Sequence, residues 1–164
     1  MSEVNEHRRT GALCLSVECE KVLEKKKTIF LLLLIANILF VLRLTLFRPF
    51  TYAERQINLR LFIGLADIYK NVGTWQFFRL FIGNIGWFVP FGFMLTALLK
   101  KKVFIKVVTL GFTFSFSIEM LQYVFRKGVA ELDDLILNVF GAVLGYFLYR
   151  LLSNASKRKP LMSW

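Results

Sequence analysis

Long apolar runs alternate with short basic or polar stretches along this chain. A spanning helix needs about 20 mostly apolar residues, and four runs come close to that length, at residues 29–47, 75–99, 103–125 and 135–152. The pattern predicts an all-α membrane protein with about four transmembrane helices. The first run starts far from the N-terminus and lacks a small-residue exit site, so we expect a retained anchor instead of a cleaved signal peptide.

The polar stretches divide the chain around this core. Residues 1–27 are predicted to form a basic cytoplasmic tail, residues 28–152 the transmembrane domain, and residues 153–164 a second basic tail. Between the first two runs, the apolar part at residues 57–69 is short and carries Arg60 and Asp67. It is too short and too charged to span, so we expect an outer interfacial or re-entrant segment there.

The distribution of basic residues predicts the orientation. Hydrophobic residues make up 56% of the 164, yet the net charge is +11. Cytoplasmic flanks of membrane helices collect lysine and arginine. With the N-terminus inside, fourteen of the 22 basic residues lie on the inner face and eight on the outer. Both termini are therefore predicted to be cytoplasmic, and attraction to anionic lipid explains most of the charge without invoking nucleic acid.

The two faces also differ in the kind of cation. Ten of the fourteen inner cations are lysine, whereas six of the eight outer ones are arginine. Arginine binds phosphate or carboxylate through two parallel hydrogen bonds. We therefore expect an anionic ligand on the outer face. The alternative is a chance imbalance combined with long side chains that reach the headgroups.

Polar residues inside the runs are predicted to meet near the outer face. Spacings of three and four place Glu119, Gln122 and Arg126 on one face of the third helix, and Asp134 and Asn138 on one face of the fourth. A carboxylate within a span is usually paired or lines a wet cavity. Arg126 is the nearest partner for Glu119 in sequence, so the alternative to a functional site is a purely structural pair.

The second and fourth helices carry residues that disturb or tighten helix packing. Asn84 lies in the outer half of the second helix, where Pro90 predicts a kink or break because it removes a backbone donor. Broken helices in membranes commonly line binding sites. On the fourth helix, Gly141 and Gly145 form a small-xxx-small pair that is typical of close helix packing.

Several kinds of site are disfavoured by composition. His7 is the only histidine, and Cys14 and Cys19 match no zinc spacing. A histidine-based metal site and a serine-histidine triad are therefore excluded. The sequence also has no nucleotide-binding fingerprint. On these grounds together, we expect no metal and no cofactor.

At these residues the sequence resembles the VanZ-like family. The resemblance covers roughly residues 57–149 and rests on "NL" at Asn58, "GN" at residues 83–84, "PFGF" at residues 90–93, "SxEMLQ" at residues 117–122, and "DDLILNVFGAVLGY" at residues 133–146. The family usually has an arginine before an "FDIDD"-like string, whereas here Gly128 occupies its approximate place and Glu131 replaces an aspartate. Arg126 or Lys127 could supply that cation.

The resemblance implies a bacterial cytoplasmic-membrane protein linked to teicoplanin resistance. Its partner would be a membrane lipid or lipid-linked cell-wall precursor, with a lipoglycopeptide antibiotic as a further candidate. One hypothesis is a polar outer site that binds without chemistry. The alternative is an enzyme that transfers or hydrolyses a lipid phosphodiester headgroup, and a transporter with Glu119 as a relay is a weaker third hypothesis.

Residue roles follow from these hypotheses. In an enzyme, Glu119 and Asp134 would be the catalytic acid and base. Glu131 and Asp133 have a second interpretation, in which both face water and only favour the dipole at the start of the fourth helix. The predicted ligand-binding residues are Asn58, Arg60, Asn84, Gln122, Arg126, Asp133 and Asn138.

Overall fold

The protein is a bundle of helices with one short sheet at one end. In the computed structural model, residues 2–47, 49, 51–61 and 73–157 are described. The elements in chain order are α1 (Ser2–Leu46), β1 (Gln56–Asn58), α2 (Thr74–Leu98), α3 (Val103–Phe125), β2 (Val129–Glu131) and α4 (Leu132–Lys157). The predicted interfacial segment at residues 57–69 lies largely outside the described residues.

Within the described part of the chain, four helices are long and apolar enough to cross a membrane, as the sequence predicts. The candidate spans are Glu20–Leu46, Phe81–Leu98, Val103–Phe125 and Leu132–Ala155. α1 continues without interruption from its span back to Ser2, so the predicted N-terminal tail is helical in the structure. α2 also continues through Pro90, which contradicts the alternative of a break at that residue.

The helix ends follow from backbone geometry. α3 is flanked by Lys102 and Arg126, which have left-handed φ angles of 48° and 55°. A left-handed residue commonly closes a helix because its conformation redirects the chain. The turn after α3 leads directly through β2 into α4, whose first turn carries Asp133 and Asp134. Acids at that position interact favourably with the positive end of the helix dipole.

α2 and α4 form the closest pair, and glycine makes their approach possible. A Cβ atom added at Gly145 would lie 2.7 Å from the Phe93 nitrogen and closer still to the Val89 carbonyl oxygen. A Cβ atom at Gly141 would similarly collide with the Ile85 backbone. Small residues let membrane helices pack with backbones in near contact. The predicted packing role of the two glycines is therefore confirmed.

An aromatic cluster fills the centre of the bundle. Phe88 and Phe91 of α2 are buried, and their rings lie 5.4 and 5.2 Å from that of Phe114 in α3. Val107 and Ala142, from α3 and α4, are fully buried beside them. The core therefore joins α2, α3 and α4, and α1 adds Leu34 and Val41 to it. Most of α1 is nevertheless exposed, since only 11% of its most apolar stretch is buried.

Candidate functional site

The two short strands pair over one end of the bundle. β1 and β2 run parallel, with Asn58 opposite Glu131. The strands come from segments about 70 residues apart, and further bonds hold those segments together. The Tyr52 amide donates to the Arg126 carbonyl at 2.9 Å, and the Arg126 guanidinium donates to the Ala53 carbonyl at 3.0 Å. We refer to residues 51–58 and 126–131 as the cap.

Beneath the cap lies a small polar cavity among all four helices. Its volume of about 40 Å³ exceeds the roughly 10–15 Å³ that a buried water needs. The polar cavity is lined by Val41 and Thr45 of α1, Asn84, Trp87 and Phe88 of α2, Ile118, Glu119 and Gln122 of α3, and Asp134 and Asn138 of α4. Five predicted site residues thus meet in one place.

Hydrogen bonds between helices fix the polar side chains of the cavity. The Asn84 amide of α2 donates to the Asp134 carboxylate of α4. The Asn138 amide donates to the Ser115 hydroxyl of α3 at 2.9 Å, and both side chains are buried. Two polar links therefore orient α4 against its neighbours, in a setting where unpaired polar groups are costly.

Glu119 connects the cavity to the cap. Its side chain is only 7% exposed, and its Oε2 accepts a hydrogen bond from the Glu131 amide at 2.9 Å. Gln122 is also buried, and its backbone carbonyl accepts a hydrogen bond from the Lys127 backbone amide at 2.9 Å. The end of α3 is therefore bonded to the chain that follows it, and the Glu119 carboxylate helps to hold β2 over the cavity.

Glu131, just before α4, and Asp133, in the first turn of α4, differ in environment. Asp133 is 2% exposed, so the interpretation that it faces water is wrong. Glu131 is half-buried. Burial raises the pKa of the Glu131 carboxyl above its ordinary value of 4.5, and the charge of Asp133 acts in the same direction. A hydrogen bond with the Asn58 side chain opposes both effects.

The predicted arginines lie outside the cavity. Glu119, Gln122 and Arg126 do not share one face, because Arg126 is the exposed, left-handed residue that ends α3. Its guanidinium binds Ala53 in the cap. Arg60 is exposed too, and its amide donates to Asn58 Oδ1 at 3.2 Å. Asn58 belongs to the cap and not to the cavity wall. Neither predicted arginine therefore lines the cavity.

Several contributors were not predicted from the sequence. Ser115 and Thr45 lie near or on the cavity wall, and Thr45 donates to the Val41 carbonyl at 2.9 Å, within its own helix. Asn37 in α1 donates to the Trp87 carbonyl at 3.4 Å, within one turn of Pro90. Serine, threonine and asparagine inside an apolar run are the available signal, since such residues often bond between membrane helices.

The donor set of the cavity suits hydrogen bonding and proton transfer. Carboxyl groups of Glu119 and Asp134 face amides of Asn84, Gln122 and Asn138. Carboxylates accept hydrogen bonds or bind protons, and amides both donate and accept. Among the described residues, no group of three or more His, Cys, Asp and Glu side chains could hold a metal ion. The cavity lining described above also includes no lysine or arginine.

Comparisons with known proteins identify the family of this chain. The VanZ/LLP1 family model matches residues 28–153, which include all four candidate spans in large part. Protein VanZ from Enterococcus faecium is 29% identical over 133 residues, which cover 81% of this chain and 76% of the relative. No solved structure matches the chain. The family match spans the four apolar helices together with the polar cavity and its cap, and this multi-pass membrane protein belongs to the VanZ/LLP1 family.

Proposed function

We propose that the protein contributes to glycopeptide (teicoplanin) resistance through a polar site at the outer leaflet, where it engages an anionic lipid or a lipid-linked wall precursor. The observation that carries the proposal is the convergence of Glu119, Asp134 and three amide side chains in one cavity between membrane-spanning helices. A carboxylate within a span costs roughly 2.5–3.5 kcal/mol on insertion scales and commonly marks a functional site. The likeness to protein VanZ supports the resistance phenotype.

The cavity and its surroundings suit different parts of such a ligand. Amides of Asn84, Gln122 and Asn138 suit the neutral hydroxyl or amide groups of a sugar or peptide. A phosphate group fits better beside Arg126 of the cap and Arg60, which follows the cap in the chain, because the cavity itself is acidic. With only about 40 Å³, the closed cavity accepts a small group. A larger headgroup requires the cap to move.

The first experiment removes the carboxylates while it preserves their shape. In a host whose teicoplanin protection depends on this protein, Glu119→Gln and Asp134→Asn should each abolish protection at unchanged membrane abundance. Glu20→Gln is the matched control, since Glu20 is exposed on α1 and far along the chain from the cavity. Full protection by both cavity variants would contradict the proposed site.

A second candidate function is hydrolysis or transfer of a lipid phosphodiester headgroup. It is favoured by the presence of two carboxyl groups from different helices in a cavity that can hold water. One carboxylate would take a proton from water as its oxygen attacks phosphorus, and the other would protonate the departing alcohol. Purified protein incubated with labelled anionic phospholipids and polyprenyl-linked precursors separates the two functions. Converted lipid supports the enzyme, and retention without turnover supports the binder.

The outer position of the site is tested independently by thiol labelling. In a Cys14→Ser, Cys19→Ser background, a membrane-impermeant reagent should label Glu54→Cys in the cap from outside the cell. It should not label Lys101→Cys between α2 and α3. Both positions are exposed in the folded chain, so access depends on the side of the membrane. The reverse pattern would place the cavity at the cytoplasmic face.

A further inference from the structure

A groove lies near the ends of the α1 and α3 spans, and its lining shares no residue with that of the polar cavity. This groove of about 460 Å³ is lined by Arg43, Leu46, Phe47, Phe125 and Lys127, and we refer to it as the basic groove. Its volume falls within the range of about 300–1,000 Å³ that is usual for ligand pockets. We propose that the basic groove binds one anionic phospholipid of the surrounding bilayer, with its phosphate between Arg43 and Lys127.

The position of the groove selects a membrane lipid as the occupant. The span of α1 ends at Leu46 and that of α3 ends at Phe125, so the groove lies where two spans reach the same end of the bundle. Acyl chains meet headgroups at that depth, and cationic side chains near helix ends reach toward the headgroups. The apolar wall is open, since Phe47 is 68% and Phe125 58% exposed.

Both cations donate hydrogen bonds to nearby oxygen atoms. The Arg43 guanidinium donates to the Phe47 carbonyl at 3.1 Å and lies 5.2 Å from the centre of the Phe47 ring. The Lys127 ammonium donates to the Thr51 hydroxyl at 2.9 Å. These contacts orient both side chains beside the groove. A phosphate between them is recognised by charge, and Arg43 can bind it with two parallel N–H groups.

Charge also separates the groove from the polar cavity. The cavity is lined by the carboxyl groups of Glu119 and Asp134, whereas the described lining of the groove has two cations and no acid. A phosphate therefore favours the groove. Since Lys127 follows α3 and bonds to the segment after α1, a lipid bound there also joins α1 to the cap. This site is independent of the proposed resistance function, because it requires none of the cavity residues.

Native mass spectrometry of the full chain in detergent tests the proposal. Phosphatidylglycerol and phosphatidylcholine of equal chain length are titrated separately, and the constant for the first bound lipid is compared between them. Each cation near a membrane surface contributes about fivefold to the binding of anionic lipid. The wild type should therefore prefer phosphatidylglycerol by roughly 25-fold, and Arg43→Gln with Lys127→Gln should remove most of that preference.

Matched variants keep the test specific. Arg55→Gln removes a cation that is also exposed in the cap but stacks over Tyr123 at 5.8 Å, and it should leave the preference unchanged. Arg43→Lys with Lys127→Arg retains both charges and should retain most of it, which excludes general misfolding. The proposal is overturned if the wild type shows no preference, or if Arg55→Gln loses as much as the double variant. It is also overturned if inorganic phosphate displaces the lipid completely, because the apolar wall would then contribute nothing.

Discussion

Gly145 is the position at which a single methyl group should test the packing of the whole bundle. In Gly145→Ala the new Cβ atom would lie 2.7 Å from the Phe93 nitrogen, whereas an ordinary contact begins near 3.4 Å. The colliding atoms belong to the α2 backbone, so no side-chain rotation can relieve the contact. α2 and α4 would have to separate by at least about 0.7 Å, and by more at the Val89 carbonyl.

The expected loss is measured against a substitution with the same chemistry. Gly86→Ala, in the middle of α2, adds a Cβ atom that meets nothing within 4 Å. Both substitutions gain about 0.8–1.0 kcal/mol of helix propensity, so that gain cancels between them. Overpacking of a close-packed interior costs about 1–3 kcal/mol. We therefore expect the free energy of unfolding of Gly145→Ala to be lower than that of Gly86→Ala by about 1–3 kcal/mol or more.

The assay is reversible unfolding of the detergent-solubilised protein by sodium dodecyl sulfate, followed by far-ultraviolet circular dichroism. Gly86→Ala should unfold at or slightly above the wild-type midpoint, and Gly145→Ala clearly below it. Equal midpoints for the two variants would refute the reasoning, because they would mean that α2 and α4 do not approach closely at this glycine.

Two further predictions concern the polar groups between the helices. Because the folded pKa of Glu131 is raised above 4.5, the folded state binds this proton more tightly. The free energy of unfolding should therefore fall as pH rises from about 4.5 through the raised pKa of Glu131. Glu131→Gln should reduce this fall in unfolding titrations, and an unchanged dependence on pH would show that Glu131 does not cause it. For the bond from Asn138 to Ser115, a double-mutant cycle with alanine should give a coupling of about 0.6–1.7 kcal/mol, whereas strict additivity would mean that the bond adds nothing.

Much of the site could be predicted because helical periodicity is local. Spacing alone places Glu119 with Gln122, and Asp134 with Asn138, on single faces, and the structure brings both pairs into one cavity with Asn84. The prediction failed where the helix itself ended. Arg126 continues the same spacing in sequence, but its left-handed backbone takes it out of the helix and into the cap. Periodicity cannot show where a helix stops.

The pairing of strands in the cap could not be predicted from local sequence patterns. β1 and β2 have three residues each, and their pairing joins Asn58 with Glu131, far apart in the chain. Neither strand is long enough to show an apolar alternation. Strands this short pair because the neighbouring helices bring the two segments together. The burial of Asp133 has the same origin, because a first-turn acid is usually solvated unless other elements cover it.

The sequence by itself determined that this is a membrane protein of four apolar helices, because the bilayer requires runs of a certain length and composition. It also determined the close approach at Gly145, since small residues at helical spacing favour packing. Only the tertiary structure decided that the acids and amides lie inside the cavity while the cations remain outside. That separation depends on hydrogen bonds between distant elements, such as those from Asn84 to Asp134 and from Asn138 to Ser115, because buried polar groups are costly to leave unpaired.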